Sequence, residues 1–247
     1  MNHSRHVRSL AFLVMFHFAA PFSYANAADD DFYDVVIYGG TSAGIAAAVQ
    51  VKRMGGSVVV IEPDRRIGGL TTGGLGQTDI GNKAAIGGIA REFYQRVRKY
   101  YQQPAVWKQE RREEYLDSGQ TRTSSAEETM WTFEPSAALA IMQDFVREFD
   151  IPVMYEQRLD RTSDSDSSSR VRGVSLEGKR IVTLKTDSGH TYRGRIFIDA
   201  TYEGDLLAGA GVSYTVGREG NEVYSETLNG VQTRHAKYHQ FVPGVDP

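Results

Sequence analysis

Tyr33-Asp-Val-Val-Ile-Tyr-Gly-Gly-Thr-Ser-Ala-Gly-Ile45 is the stretch whose reading decides the fold. Its first six residues form a short apolar run ending at Gly39-Gly40, the pattern of a buried strand entering a tight turn. Thr41 and Ser42 suit the N-cap of a following helix, in which Ile45, Ala48, Val49 and Val51 sit among alanines. Met54-Gly55-Gly56 supplies a glycine stop, and Ser57-Val-Val-Val-Ile61 reads as a second buried strand ending in Glu62-Pro63. Strand, glycine turn, helix and strand in this order make a βαβ unit with a right-handed crossover. Such a turn delivers the chain to a helix N-terminus, whose free N–H groups and positive dipole end attract a pyrophosphate. Gly39 lets the chain turn, and Gly44 lets the helix pack close to the sheet. Glu62 follows Gly39 by 23 residues (62 minus 39), matching the ~20-residue spacing of a carboxylate that accepts hydrogen bonds from an adenosine ribose. The usual middle glycine of G-x-G-x-x-G falls on Thr41, so the strict pattern fails and Gly40 must supply the close approach. Dinucleotide binding is the reading these residues favour, with a plain βαβ scaffold as the alternative.

Composition narrows the classes around that core. The 28 Lys+Arg against 31 Asp+Glu give a net charge of -3 with no long run of either sign, which argues against a nucleic-acid binder. The absence of cysteine from the 247 residues excludes disulfide scaffolds, thiolate zinc sites, iron–sulfur clusters and Cys nucleophiles. Residues 1–27 open with Arg5 and Arg8, run apolar from Leu10 to Ala20, and end in Ala25-Asn26-Ala27. That is the pattern of a signal peptide cleaved after Ala27, which sends the mature chain to the periplasm or outside the cell. The apolar run is too short for a comfortable span and is broken by His17 and Pro21, so no stable membrane span is expected after cleavage.

Further along, residues 89–101 and 135–149 read as helices, the second with Pro135 in its first turn. Residues 102–129 are polar, without a clean period, and stay unassigned. Residues 153–155 read as a strand, and 164–169 as a solvated hairpin tip between extended pieces. Residues 171–176, 181–186 and 190–192 alternate like a small antiparallel meander, and 195–199 is one more buried strand.

Two further blocks carry a resemblance. Gly68-Gly-Leu-Thr-Thr-Gly-Gly-Leu-Gly-Gln-Thr-Asp79 and Ile196-Phe-Ile-Asp-Ala-Thr-Tyr-Glu-Gly-Asp-Leu-Leu-Ala208 follow the first turn in the order found in FAD-dependent oxidoreductases of the glutathione-reductase-like flavin fold. With Gly-Gly-Thr-x-Ala-Gly at the first turn, the chain resembles a secreted bacterial branch of that family over roughly residues 33–240. Tyr202 stands where many relatives have glycine. Members of the branch are sometimes labelled xanthan lyase, but nothing in these residues argues for polysaccharide cleavage. The resemblance implies an α/β, three-layer Rossmann-like FAD-binding domain, with a parallel sheet between helices and an antiparallel β-meander. It implies that Gly39, Gly40, Ser42, Ala43 and Gly44 hold the pyrophosphate, that Glu62 holds the adenosine ribose, and that Arg66 helps hold the adenosine part. Gly69, Leu70, Thr71 and Thr72 would lie along the ribityl chain and flavin, while Asp199, Ala200 and Thr201 close over the ADP portion, with Asp205 beside them. Plainer readings stand next to these: Glu62 as a strand-end carboxylate, Gly68-Gly69 as a turn, Arg66 as a solvated charge, and Asp205 as a first-turn helix acid.

No catalytic acid or base declares itself. His235 and His239 share a helical face only if that piece is helical, and they lack a third ligand, so no metal site is expected. The resembled fold completes its flavin site with a strand and helix returning after a substrate domain. Here residues 28–211 read as the N-terminal part of the FAD domain and 212–247 as the start of a substrate domain, incomplete at the C-terminus. The expectation is an exported FAD-dependent oxidoreductase acting on a small-molecule or sugar-related substrate with an unknown electron acceptor. The alternatives are a non-catalytic remnant of the fold and an NAD-binding Rossmann module.

Overall fold

The computed structural model describes residues 32–77, 80–117, 119–122, 128–164, 167–171 and 173–226. The signal-peptide segment and the His235–His239 pair lie outside these residues. β1 (Phe32–Tyr38), α1 (Ser42–Arg53) and β2 (Val58–Ile61) form the expected βαβ unit. β1 and β2 run parallel, with Val35 opposite Val58 and Tyr38 opposite Ile61. Thr41 caps α1, its Oγ1 accepting from the Gly44 amide at 3.3 Å. The helix stops in a Schellman motif: Gly55, at φ +80°, donates to Lys52 O, and Gly56 donates to Val51 O.

α2 (Gly69–Gly73), α3 (Gly88–Tyr101) and α4 (Pro135–Glu148) follow, and then β3 (Val153–Met154) pairs parallel with β2. The short hairpin β4 (Ser163–Asp164) and β5 (Ser167–Val171) forms a two-stranded sheet of its own. β6 (Val174–Glu177) and β7 (Arg180–Lys185) are antiparallel, and β8 (Thr191–Asp199) leads to α5 (Asp205–Gly209). The main sheet has the order β3-β2-β1-β8-β7-β6. Two pieces that the sequence divides, 190–192 and 195–199, are one strand. Its start pairs antiparallel with β7 and its remainder pairs parallel with β1, Tyr38 lying opposite Asp199. Gly194 lets the two regimes join, because a Cβ there would press on Val36 Cγ2 at 2.7 Å.

The strand period of two sorts the core into two layers. Val35, Ile37, Val58 and Val60 face α1, α3 and α4, meeting Ile45, Val49, Phe93, Val97, Ile141 and Phe145. Val36, Tyr38, Val59 and Ile61 face the other way, onto Val174, Leu184 and Tyr192 of the meander and Leu206 of α5. The sheet therefore curls so that its antiparallel part covers one face of its parallel part, giving the three layers expected. Each fully buried Ile, Val or Phe in this arrangement contributes about 1.5–3 kcal/mol relative to exposure. On the helical face, Glu92 of α3 bonds Arg53 of α1 (2.6 Å) and Arg96 (2.7 Å), which in turn reaches Glu148 of α4.

Candidate functional site

Parallel strands deliver their following loops to one end of the sheet, and that end is where a cleft opens. The loops after β1, β2, β3 and β8 surround a cavity of about 480 Å³ whose walls include Gly39, Glu62, Arg66, Leu70, Arg161 and Thr201. At one end Glu62, only 7% exposed, accepts the Gly40 amide on Oε2 (2.6 Å) and the Asp64 amide on Oε1 (2.9 Å). Burial raises its carboxyl above the ordinary value, and the Asp64 and Gly40 amides pull it part of the way back. A carboxylate held this way keeps lone pairs for two further donors, as the two hydroxyls of a ribose provide.

The first turn is close-packed on every side. A Cβ on Gly39 would lie 2.8 Å from Thr201 N, and one on Gly40 would lie 2.8 Å from Glu62 Oε2. A Cβ on Gly44 would overlap Gly39 O, so the helix packs on the turn itself. Thr41, where the sequence pattern departs, has a task of its own: its hydroxyl donates to Ala200 O at 2.7 Å, tying this turn to the block after β8. Asp199 organises that block. Its Oδ1 accepts from Thr201 N (3.1 Å) and Oγ1 (2.6 Å), and its Oδ2 accepts from Leu206 N (2.9 Å) and Leu207 N (3.1 Å) at the start of α5. Ala200 N donates to Tyr38 O at 2.8 Å.

Within the second glycine block, residues 68–76, Gly69–Gly73 form the helix α2 where the sequence suggested only a glycine-rich stretch. Gly68 N donates to Gly40 O at 2.7 Å, so the two turns are joined through their backbones. Ser42 Oγ lies within hydrogen-bond distance of Gly68 O (3.0 Å) and Thr71 Oγ1 (2.6 Å), which turns both side chains toward each other. Thr72 is buried, its hydroxyl donating to Ile67 O at 2.6 Å. Arg66 lines the cleft and reaches Thr72 O through its guanidinium (2.6 Å), bracing α2. Ala43 is exposed in the first turn of α1. Asp205 lines the cleft and pairs with Arg161 at 3.2 Å.

Sequence reasoning missed Arg158 and Arg161, which enter the cleft from the segment after β3; Arg158 pairs with Asp64 at 2.7 Å. The signal was topological, since a third parallel strand must release its loop at the same end of the sheet. Also missed was a second cavity, of about 490 Å³, beyond the far end of α2. Gly74 to Gln77 form one wall, and Tyr101, Trp107, Tyr115 and Phe133 supply aromatic surface. These rings are fixed by their polar ends: the Trp107 indole donates to Tyr101 O at 2.8 Å, Tyr101 bonds Glu134, and Tyr115 bonds Thr132. Tyr214 and Tyr224, in the segment after α5, are exposed at 68% and 67%.

The architecture is similar to several solved flavoenzymes. A flavin-containing monooxygenase from Stenotrophomonas maltophilia is 20% identical, with a TM-score of 0.39, covering 78% of this chain and 43% of that one. An L-amino acid deaminase from Proteus vulgaris, lacking its specific insertion sequence, is 14% identical with a TM-score of 0.44, covering 76% and 57%. An L-proline dehydrogenase from P. horikoshii is 15% identical with a TM-score of 0.42, covering 75% and 57%. The chain thus spans less than two thirds of the length of each. No curated protein matches the sequence. The family model described as FAD dependent oxidoreductase matches residues 34–245. With most of its length matched, the chain belongs to the FAD-dependent oxidoreductase family.

Proposed function

We propose that this chain forms the cofactor-holding part of an exported FAD-dependent oxidoreductase that acts on a small molecule, sugar-related or otherwise, and passes electrons to a separate acceptor. The observation that carries the reading is Glu62: a buried carboxylate at the end of β2, anchored by the Gly40 amide, opening on a cleft that leads along Gly39 and Thr201 to Gly69. The cleft fits the cofactor on chemical grounds. Glu62 would take the adenosine ribose, the backbone of Gly39, Gly40, Ser42, Ala43 and Gly44 would face the pyrophosphate, and Asp199, Ala200, Thr201 and Asp205 would close the second side. Arg66 would support the adenosine end, and Gly69, Leu70, Thr71 and Thr72 would run toward the redox-active ring. Bound FAD supplies the electron-accepting chemistry; the chain supplies binding, orientation and exclusion of water. The aromatic cavity beyond α2 is the natural place for substrate, since ligand pockets typically have volumes of ~300–1,000 Å³ and mostly apolar walls with a few polar groups.

Export is proposed from residues 1–27. The division at residue 211 is supported by the described residues that follow: 212–226 form no helix or strand, and Val212, Tyr214 and Val216 are exposed. Titration of the full chain with FAD, FMN and NAD, followed by fluorescence, tests the cofactor reading. FAD should bind well over tenfold more tightly than FMN, which lacks the adenosine ribose that Glu62 would hold. Equal affinity for FMN, or preference for NAD, would overturn it.

A further inference from the structure

Tyr202 crosses the cleft to α2. It leaves the Asp199-Ala200-Thr201 turn, lines the cleft, and its hydroxyl accepts the Leu70 amide at 2.8 Å on the opposite wall. Gly69 makes this crossing possible, because a Cβ there would overlap the Tyr202 hydroxyl. Both ends of the bridge are held. The Tyr202 end is fixed by the Asp199 bonds to Thr201 and to the start of α5, and α2 is braced by Arg66 on Thr72. Tyr202 is 60% exposed and lies outside the buried core, and one hydrogen bond secures its hydroxyl on α2.

The position matters because of what lies on either side. The cleft with Glu62 ends at Gly69, Leu70 and Tyr202, while the aromatic cavity begins at Gly74, beyond α2. A ligand that extends from the cleft along α2 toward the aromatic cavity runs by Gly69 and Leu70, which the phenol covers. We infer that Tyr202 is a gating residue: its ring closes the passage between the dinucleotide cleft and the aromatic cavity, and swings from Leu70 to let the cofactor seat or leave. This rests on the FAD reading above and concerns the chain's own device for controlling that site. Swinging out requires breaking one partly exposed hydrogen bond and rotating the side chain about χ1, a motion open to an exposed ring.

A gate raises the barrier in both directions, whereas the plainer roles do not. A tether that only stabilises the bound state would slow release alone, and a group that only competes with the cofactor would slow binding alone. Stopped-flow flavin fluorescence on the full chain separates the three, comparing the parent with Tyr202→Phe and Tyr202→Gly. Removing the hydroxyl should speed association and dissociation each by about fivefold, the net worth of one hydrogen bond. Removing the ring should speed both further, with the equilibrium constant moving less than either rate. Hydrogen exchange at the Leu70 amide gives a readout without flavin, slow in the parent and fast in both variants. Thermal unfolding identifies a variant that has failed to fold, and Tyr202→Phe, which keeps the ring, then decides the matter. Unchanged rates in a folded variant overturn the gate and leave the cofactor reading standing, as does faster release with unchanged association. Flavin binding by Tyr202→Gly but not by the parent, or faster association with unchanged release, marks a competing group and overturns the gate. Failure of all three chains to bind flavin overturns the cofactor reading, and the gate falls with it.

Discussion

Gly40, in the first glycine-rich turn, and Gly73, at the end of α2, have opposite surroundings. A Cβ on Gly40 would come within 2.8 Å of Glu62 Oε2 and 3.1 Å of Ile67 Cγ2, whereas one on Gly73 would meet no atom within 4 Å. The first turn is glycine because the protein's own parts converge there: the Glu62 carboxylate, the Thr201 backbone and the helix that packs on Gly39 O. In the second block, Gly68, Gly69 and Gly76 are packed as well, against Thr72, Tyr202 and Phe133, whereas Gly73 and Gly74 face space that the chain leaves open. The first turn is thus closed by the protein throughout, whereas the second block is packed at both ends and open in its middle, where the account places the cofactor.

That contrast can be broken by substitution. Gly44→Val should have the largest effect, because a Cβ there overlaps main chain that cannot yield without opening the βαβ unit. A loss of about 3 kcal/mol or more in urea unfolding is expected; a variant of parent stability would show that the turn is not close-packed. Gly40→Ala should cost about 1–3 kcal/mol, because it displaces the carboxylate that its own amide holds, and flavin affinity should fall along with stability.

Acid sharpens the comparison at Glu62. Its carboxyl titrates above the ordinary value of 4.5 because it is buried. The folded chain therefore holds the proton more tightly than the unfolded chain, and the stability Glu62 contributes is full below the unfolded value and lost as pH rises through the raised folded value. Flavin binding has the opposite sign, since ribose hydroxyls need the ionised acceptor. Affinity should fall by up to about tenfold per pH unit as acid protonates Glu62, beginning above pH 4.5. Glu62→Gln should flatten that slope, and an unaltered slope would assign it to another group. Gly73→Ala should have the smallest effect on stability, within about 1 kcal/mol and on the stabilising side, since alanine suits a helix better than glycine. Its flavin affinity should nevertheless drop severalfold; full affinity would mean that the open space is not where the cofactor runs.

How much of this was legible follows from how far each signal reaches along the chain. The βαβ unit could be read because local patterns fix it: the apolar runs of β1 and β2, the Thr41 cap and the Gly55 stop each act within a few residues. The helices at Gly88–Tyr101 and Pro135–Glu148 were legible for the same reason. The continuity of β8 was not, because the 190–192 and 195–199 pieces have different neighbours, and only the fold reveals that one strand serves both. Glu62 could be picked out by spacing, yet its bond to Gly40 required the two strand ends to be side by side. The Thr41–Ala200 and Tyr202–Leu70 contacts span 159 and 132 residues, and no local pattern encodes them. The aromatic cavity stayed hidden because Tyr101, Trp107, Tyr115 and Phe133 follow no common period and converge through tertiary contacts, among them the bonds of Trp107 to Tyr101 and Tyr115 to Thr132.

The central claim is that Glu62 and the two turns around it hold FAD. Its most direct test is the visible absorbance of the purified full chain after incubation with FAD and desalting, set beside Glu62→Arg. The account predicts flavin bands retained near one equivalent per chain by the parent and lost from a Glu62→Arg variant that still unfolds cooperatively. Equal retention by both, or by neither, would contradict it.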